Sequence, residues 1–262
     1  YSDVAVKKIY KFKNRPNKNP LIIHYHDIKR LKNDVELNDS FYKLYNAYSP
    51  GPITFVLNIK KNSKISKIST AKLKTVAVRI PKHQTIRKIL KVLKFPLAIP
   101  SANKSTRVSP VTAEDVACEF GNYLKMILNG KRSAIGLEST VVDLTSKVKI
   151  LRPGFINQDD IAKILKKPIK FSGPNDKIKS PGMLKRHYSP GIPIKLNQKK
   201  PKKNQAFIVF GKKHKKAKNI FNLSIKEDIN EAAKNLYKTL RMIKNKKYKI
   251  IYVSKIPTKG IG

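Results

Sequence analysis

The chain has 262 residues, 40% of them hydrophobic, and a single cysteine, Cys118, which excludes a disordered chain, an internal disulfide and a cysteine-built zinc site and makes a reducing cytoplasm the expected compartment. Its length suits one large domain or a domain with a smaller companion, and no apolar run approaches the roughly 20 residues that cross a bilayer. The formal net charge of +42 is extreme, yet only nine of the 58 basic residues are arginine, the side chain that grips phosphate at two points, so the charge argues only weakly for RNA or another polyanion.

A first helix is expected from a cap at Ser2 or Asp3, with Val4, Ala5, Ile9 and Phe12 on or near its buried face. It runs out into Lys13-Asn14-Arg15-Pro16-Asn17-Lys18-Asn19-Pro20, a polar loop. Strands are expected at 21–25, 53–59 and 75–80, with helices at 39–47 and 83–94. Residues 95–100 read as a short buried strand, broken by Ser101-Ala102-Asn103 and followed by Lys104, Ser105, Arg107 and Ser109. Thr112 and Asp115 open a helix reaching about Gly121. A strand is expected at 124–128, another leading out of 136–144 and pairing back with 148–151, and a helix at 159–165. From Ser172 to about Lys203 periodicity gives way to Pro, Gly, Ser and Lys, the composition of a linker. Strands at 206–210 and 249–253 around a helix near 229–243 make a small βαβ unit. The expected division is 1–172, a linker at 173–203, and 204–262, with both ends reading as cut from a longer chain.

Four polar sets fall at element ends: Lys13, Arg15 and Asn19; Thr75 and Arg79; Ser101, Asn103 and Ser109; Ser139 and Arg152. Strand ends of one sheet are expected to converge on one crevice. The chain has no HExxH, GxSxG or GxxxxGK[ST] motif, and Glu138 beside Ser139 has no histidine tied to it by spacing. Cations and hydroxyls without a nucleophile–base pair suit chemistry on a phosphoanhydride, which needs positioning and charge stabilisation more than covalent help.

Lys13-x-Arg15 followed by Ser101-x-Asn103 resembles the KxR…SxN signature of the L-threonylcarbamoyladenylate synthases. The stretches AVKKIYKFKNRPNKNPLIIH, SPGPITFVL, PLAIPSANKSTRVSPVTAEDV, GLESTVVDL and ILRPGFI are similar as well, and SPGMLKRHYSP at 180–190 resembles the linker of the two-domain form. The resemblance implies an α/β fold: a YrdC-like twisted, mixed open sheet with flanking helices, then a linker and a small Rossmann-like domain. It implies formation of threonylcarbamoyl-AMP and pyrophosphate from L-threonine, bicarbonate and ATP, a nucleotidyl transfer that begins threonylcarbamoyl-adenosine modification of tRNA.

By the same resemblance Lys13, Arg15, Ser101 and Asn103 form the catalytic signature. Arg15, Asn19, Thr75, Ser101, Ser109 and Arg152 meet ATP, with His187 or Tyr188 closing over it. His24, Arg79, the main chain at Ile99, and Ser139 hold L-threonine. Mg²⁺ is expected to come with ATP and no metal site in the chain itself is expected. The partners implied are the downstream tRNA threonylcarbamoyl-transfer machinery and, weakly, RNA. The chain departs from the family in lacking the Thr- and Tyr-bearing turn before the first helix, and in carrying Lys185 where an aromatic is usual. Two rivals are a non-catalytic RNA-binding module of this fold and a carbamoyl-transfer domain. The signature loops carry no base-stacking aromatics, which argues against the first, and the linker with its βαβ appendage argues against the second.

Overall fold

The computed structural model describes residues 1–262 except 175, 184–186, 203 and 215–216, and of residue 122 the backbone alone. Lys185 and Arg186, which belong to the expected closing segment, lie outside the described residues. In chain order the elements are α1 (Asp3–Lys13), β1 (Ile22–His24), α2 (Ile28–Leu31), α3 (Asp39–Tyr48), β2 (Ile53–Asn58), β3 (Thr75–Arg79), α4 (Gln84–Val92), β4 (Leu97–Ala98) and α5 (Ala113–Phe120). They continue with β5 (Thr140–Asp143), β6 (Lys149–Arg152), α6 (Gln158–Leu165), β7 (Lys170–Phe171), β8 (Ile194–Lys195), β9 (Ala206–Val209), β10 (Ile220–Asn222), α7 (Ile229–Asn245) and β11 (Ile251–Val253).

Contacts divide the chain into two compact units, 1–105 with 138–185, and 106–137 with 186–262. Segment 106–137 groups with the C-terminal part because Val108 and Val111 bury their side chains in that unit's core. The segment read as a linker is likewise shared, 173–185 falling in the first unit and 186–203 in the second.

The first unit is built on a seven-stranded sheet of order β4-β1-β3-β2-β5-β6-β7, with parallel and antiparallel neighbours mixed. Its central strand β2, Ile-Thr-Phe-Val-Leu-Asn, is buried on both faces, and its near-continuous apolar run is what such a strand requires. One face carries Ile23, Phe55, Val78, Val142 and Ile150, packed against Phe41 and Leu44 of α3 and Ile161 of α6. The rings of Phe41 and Phe55 meet edge-on at 4.9 Å, a geometry favoured by their quadrupoles. The opposite face is a smaller apolar patch of Ile22, Val56, Ala77, Val141 and Leu151, with Met183 laid against it.

Helix α1 begins where the Ser2 hydroxyl accepts the Ala5 N–H and ends on left-handed Asn14 at φ 48°. It buries Val6, Tyr10 and Lys13, with Ile9 half-buried, an i, i+4, i+7 stripe against Leu21. Val4, 67% exposed, and Phe12, 36% exposed, are not on that face. A two-residue displacement turns a helix by about 200°. The expected strand at 95–100 is only Leu97–Ala98, half-buried and antiparallel at the sheet edge, where the N–H-less Pro96 and Pro100 are tolerated. The expected strand at 124–128 is absent: Met126 and Leu128 are exposed, and no described strand pairs with that segment.

The second unit holds a four-stranded, wholly parallel sheet of order β10-β9-β11-β8. Helix α7 lies between β10 and β11 in sequence and packs Ala232, Tyr237, Leu240 and Ile243 into the same core as Ile208 and Ile251. Among the described residues no helix is long and apolar enough to cross a membrane.

Candidate active site

Side chains two residues apart on a strand share a face. Thr75 and Arg79 therefore lie on the Ala77 face of β3, and His24 lies on the Ile22 face of β1. Register places His24 beside Arg79 and Thr75 beside Asn58. Thr75 and Arg79 are thus at opposite ends of β3, about 13 Å apart at about 3.3 Å per residue. His24, Thr75 and Arg79 thus lie on the sheet face that carries the Met183 patch, but Thr75 stands at the far end of β3, so these three do not share the one row of strand ends that the sequence suggested.

The KxR and SxN positions are tied together directly. Lys13, 5% exposed, donates from Nζ to the Ser101 carbonyl at 2.5 Å and to the Asn103 carbonyl, and its own carbonyl accepts the Ser105 N–H at 2.9 Å. An ammonium with three donors can join two carbonyls in this way, fixing the loop after β4 to the end of α1. Arg15 donates from Nε to the Asn19 carbonyl (2.9 Å) and from Nη2 to Asn19 Oδ1 (2.8 Å) and the Pro20 carbonyl (2.6 Å). Both cations are thereby engaged in ordering the chain. Buried Asn19 Nδ2 and Thr75 Oγ1 have no hydrogen-bond partner among the described residues, an arrangement that a ligand would complete.

His24 is buried, with Nδ1 3.2 Å from the Ile22 carbonyl. Burial, followed by the nearby Arg79 cation, lowers its pKa from 6.5 to about 3. The ring is neutral at physiological pH, Nδ1–H donates to Ile22, and Nε2 is left as an acceptor. Arg79 donates from Nε to the Gly51 carbonyl at 3.0 Å. Burial lowers its pKa to about 10, against the upward pull of Glu138 and with the repulsion of Arg152, so it stays cationic at neutral pH.

Ser139 and Arg152 form a buried knot. Arg152 donates from Nη2 to the Ser139 carbonyl (2.7 Å) and hydroxyl (2.9 Å), and from Nε to the same carbonyl (3.1 Å). The Ser139 hydroxyl also shares a hydrogen bond with Thr54 at 2.7 Å. The sequence reading missed Thr54, although a lone hydroxyl inside the apolar run of β2 is a signal for it. The Ile99 N–H donates to the Ile22 carbonyl at 3.2 Å, so a ligand contact at Ile99 falls to its carbonyl.

Residues 179–183 pack on this unit. Lys179 pairs with Asp143 at 2.8 Å and donates to Thr145 Oγ1 at 3.0 Å, and Ser180 is fully buried. Gly182, at φ +99°, lies so close to Arg152 that a Cβ would sit 2.3 Å from its Cδ. Ser109, His187 and Tyr188 belong to the second unit, Ser109 buried near Val108 and Val111, and the His187 and Tyr188 rings 4.0 Å apart. Among the described residues no group of three or more His, Cys, Asp or Glu is arranged to hold a metal ion.

Two family models match: the Sua5/YciO/YrdC model, described as telomere recombination, over residues 1–154, and the model described as threonylcarbamoyl-AMP synthase, C-terminal domain, over residues 156–262. A threonylcarbamoyl-AMP synthase of Pyrococcus abyssi is 33% identical over 98% of this chain and 81% of its own length. One from Bacillus subtilis is 31% identical over 98% and 80%. The crystal structure of P. abyssi Sua5 complexed with L-threonine superposes with a TM-score of 0.89 at 30% identity, covering 99% of this chain and 82% of that one.

Proposed function

The chain belongs to the Sua5/YciO/YrdC family, and from that premise we propose that it makes threonylcarbamoyl-AMP and pyrophosphate from L-threonine, bicarbonate and ATP. Relatives named for this activity align with nearly the whole chain, and one is known with L-threonine bound. The observation that carries the reading within this chain is the pairing of cationic Arg79 with neutral His24 on one sheet face. A guanidinium fork suits the threonine carboxylate, and an unprotonated Nε2 accepts from its amine or hydroxyl. Ser139 and the Ile99 carbonyl complete the proposed threonine contacts.

N-carboxylation of the amine by bicarbonate forms the N–C bond as a C–O bond of bicarbonate breaks and water leaves, giving a carbamate. One carbamate oxygen attacks the α-phosphorus of ATP, forming the new P–O bond as the bond to the β-phosphate bridging oxygen breaks and pyrophosphate leaves. Arg15, Asn19, Thr75, Ser101 and Arg152 are proposed to meet ATP, as are Ser109, His187 and Tyr188 of the second unit. Lys13 and Asn103 act by holding the signature loop in place, a role that follows from the Lys13 bonds to Ser101 and Asn103. The chemistry is electrostatic and positional, with no covalent step on the protein. Magnesium, proposed to arrive on the triphosphate, supplies charge neutralisation to the leaving pyrophosphate. The cytoplasm is the proposed compartment, and the tRNA threonylcarbamoyl-transfer machinery the proposed recipient of the product.

Pyrophosphate release measured with each substrate omitted in turn tests this. Release is expected only when L-threonine, bicarbonate and ATP are all present. Release indifferent to bicarbonate would sink the reading. Turnover of carbamoyl phosphate would favour carbamoyl transfer, and RNA binding without turnover a binding module.

A further inference from the structure

We propose that Arg241, on helix α7 of the second unit, is a positioning residue for ATP. It holds the segment that carries Ser109 and, through that segment, the stretch that carries His187 and Tyr188. This rests on the assignment of those three residues to ATP.

The Arg241 guanidinium is engaged almost entirely by one stretch of chain. Nε pairs with Asp115 Oδ1 at 3.0 Å, Nη2 donates to the Asp115 carbonyl at 3.0 Å, and Nη1 donates to the Val108 carbonyl at 3.2 Å. The Val108 carbonyl belongs to the peptide that precedes Ser109. The other oxygen of Asp115 accepts the Val111 N–H at 2.9 Å, and the Asp115 N–H donates to the Thr112 hydroxyl. The backbone on both sides of Ser109 is therefore held from one arginine. Val108 and Val111, both buried, fix the same stretch by packing.

The second link runs from this stretch to the His187–Tyr188 pair. The Ser189 N–H donates to the Thr106 carbonyl at 2.8 Å, and Arg107 and Ser189 form a parallel bridge. Thr106 at φ 72° and Tyr188 at φ 53° are both left-handed, a conformation that a β-branched or bulky residue adopts only where its surroundings impose it. The Tyr188 ring stacks on Tyr237 of α7, centroids 5.6 Å apart. Glu119, 3.2 Å from Arg107 and 3.8 Å from Arg241, joins the two links. Packing alone would be served by an aliphatic residue at 241. A planar fork reaching two main-chain carbonyls and a carboxylate also fixes the segment's orientation.

The test uses the full chain and measures initial rates of pyrophosphate release with ATP and L-threonine varied separately, alongside thermal unfolding. Arg241→Met is expected to raise the KM for ATP at least tenfold and to leave the KM for threonine within twofold. Arg241→Lys, keeping the charge and part of the donor set, is expected to recover part of that loss. Asp115→Asn, which weakens the same clamp from the other side, is expected to shift the same constant. An equal rise in both KM values, or a fall in Tm with the KM for ATP unchanged, overturns the proposal. If Arg241→Met does not fold, the other two variants decide by the same criterion. A wild-type chain that releases no pyrophosphate overturns the proposed function. In that event ATP titration calorimetry on wild type and Arg241→Lys decides the positioning role, equal affinities counting against it.

Discussion

His24 stands beside Arg79 across β1 and β3, and its depressed pKa has a consequence for folding as well as for binding. In the unfolded chain the imidazole titrates near 6.5, and in the folded one near 3. Above the unfolded value both states are neutral and the native state keeps its full stability. As pH falls below about 6.5 the unfolded chain takes up a proton that the native site refuses. Stability drops by up to about 1.4 kcal/mol per pH unit until the folded pKa is reached. Asn in place of His24 keeps an N–H for the Ile22 carbonyl and has no such proton to gain. Urea midpoints measured from pH 7 to pH 4 should therefore fall less steeply in His24→Asn than in wild type. The carboxylates that titrate below pH 5 are common to both chains, so the difference curve isolates the imidazole. Parallel curves would mean that His24 is not held neutral. The neutrality that costs acid stability is what leaves Nε2 as an acceptor, the role proposed for it toward L-threonine.

At the scale of elements, the segment 179–183 packs on the first unit, with Met183 on the sheet face that carries His24 and Arg79, without being a helix or strand. Its anchors are the Lys179–Asp143 pair, Met183 on the apolar patch, and Gly182 against Arg152. Gly182→Ala introduces a Cβ at a positive φ and into the space of a side chain already fixed by Ser139. It should destabilise by more than about 1 kcal/mol. Amide exchange at 180–183 should quicken and pyrophosphate release should fall with it. Unchanged exchange would show that the segment merely drapes over the sheet. None of this packing was legible in the sequence, because a stretch of Pro, Gly, Ser and Lys has no period from which to read a buried face. The central strands were legible: β2, β3 and the β5–β6 pair have apolar runs that only a buried sheet explains. The candidate site was legible in the sequence only as a resemblance to the KxR…SxN signature. Its arrangement was not, since spacing gave no sign that Lys13 would bind the carbonyls of Ser101 and Asn103, or that Thr54 would reach Ser139. Strand β4 was overestimated for a different reason: the apolar content of 95–100 predicts burial, while the two prolines in that stretch predict an edge.

For the molecule as a whole the governing quantity is charge. Against 58 Lys and Arg there are 16 Asp and Glu, so most cations have no carboxylate of their own. Several of those carboxylates already serve particular arginines and lysines, among them Asp143, Asp115 and Glu119. The excess repels itself in the folded state and relaxes when the chain unfolds and the charges move apart. Screening shortens the range of that repulsion, from a Debye length of about 30 Å at 0.01 M salt to about 10 Å at 0.1 M. Raising NaCl from 10 to 200 mM should therefore raise the unfolding temperature, at roughly 2–4 °C for each kcal/mol recovered. Millimolar phosphate at constant ionic strength separates general screening from anion binding at a site. Screening predicts that phosphate adds little beyond its ionic strength, whereas a bound anion would raise Tm at concentrations too low to screen. A Tm that is flat or falls with NaCl would show that the positive charges are not a net burden on the fold. The same field draws any polyanion, so RNA binding at low salt is expected of this chain whatever its sequence. Only the affinity that survives near 150 mM salt bears on whether tRNA is recognised.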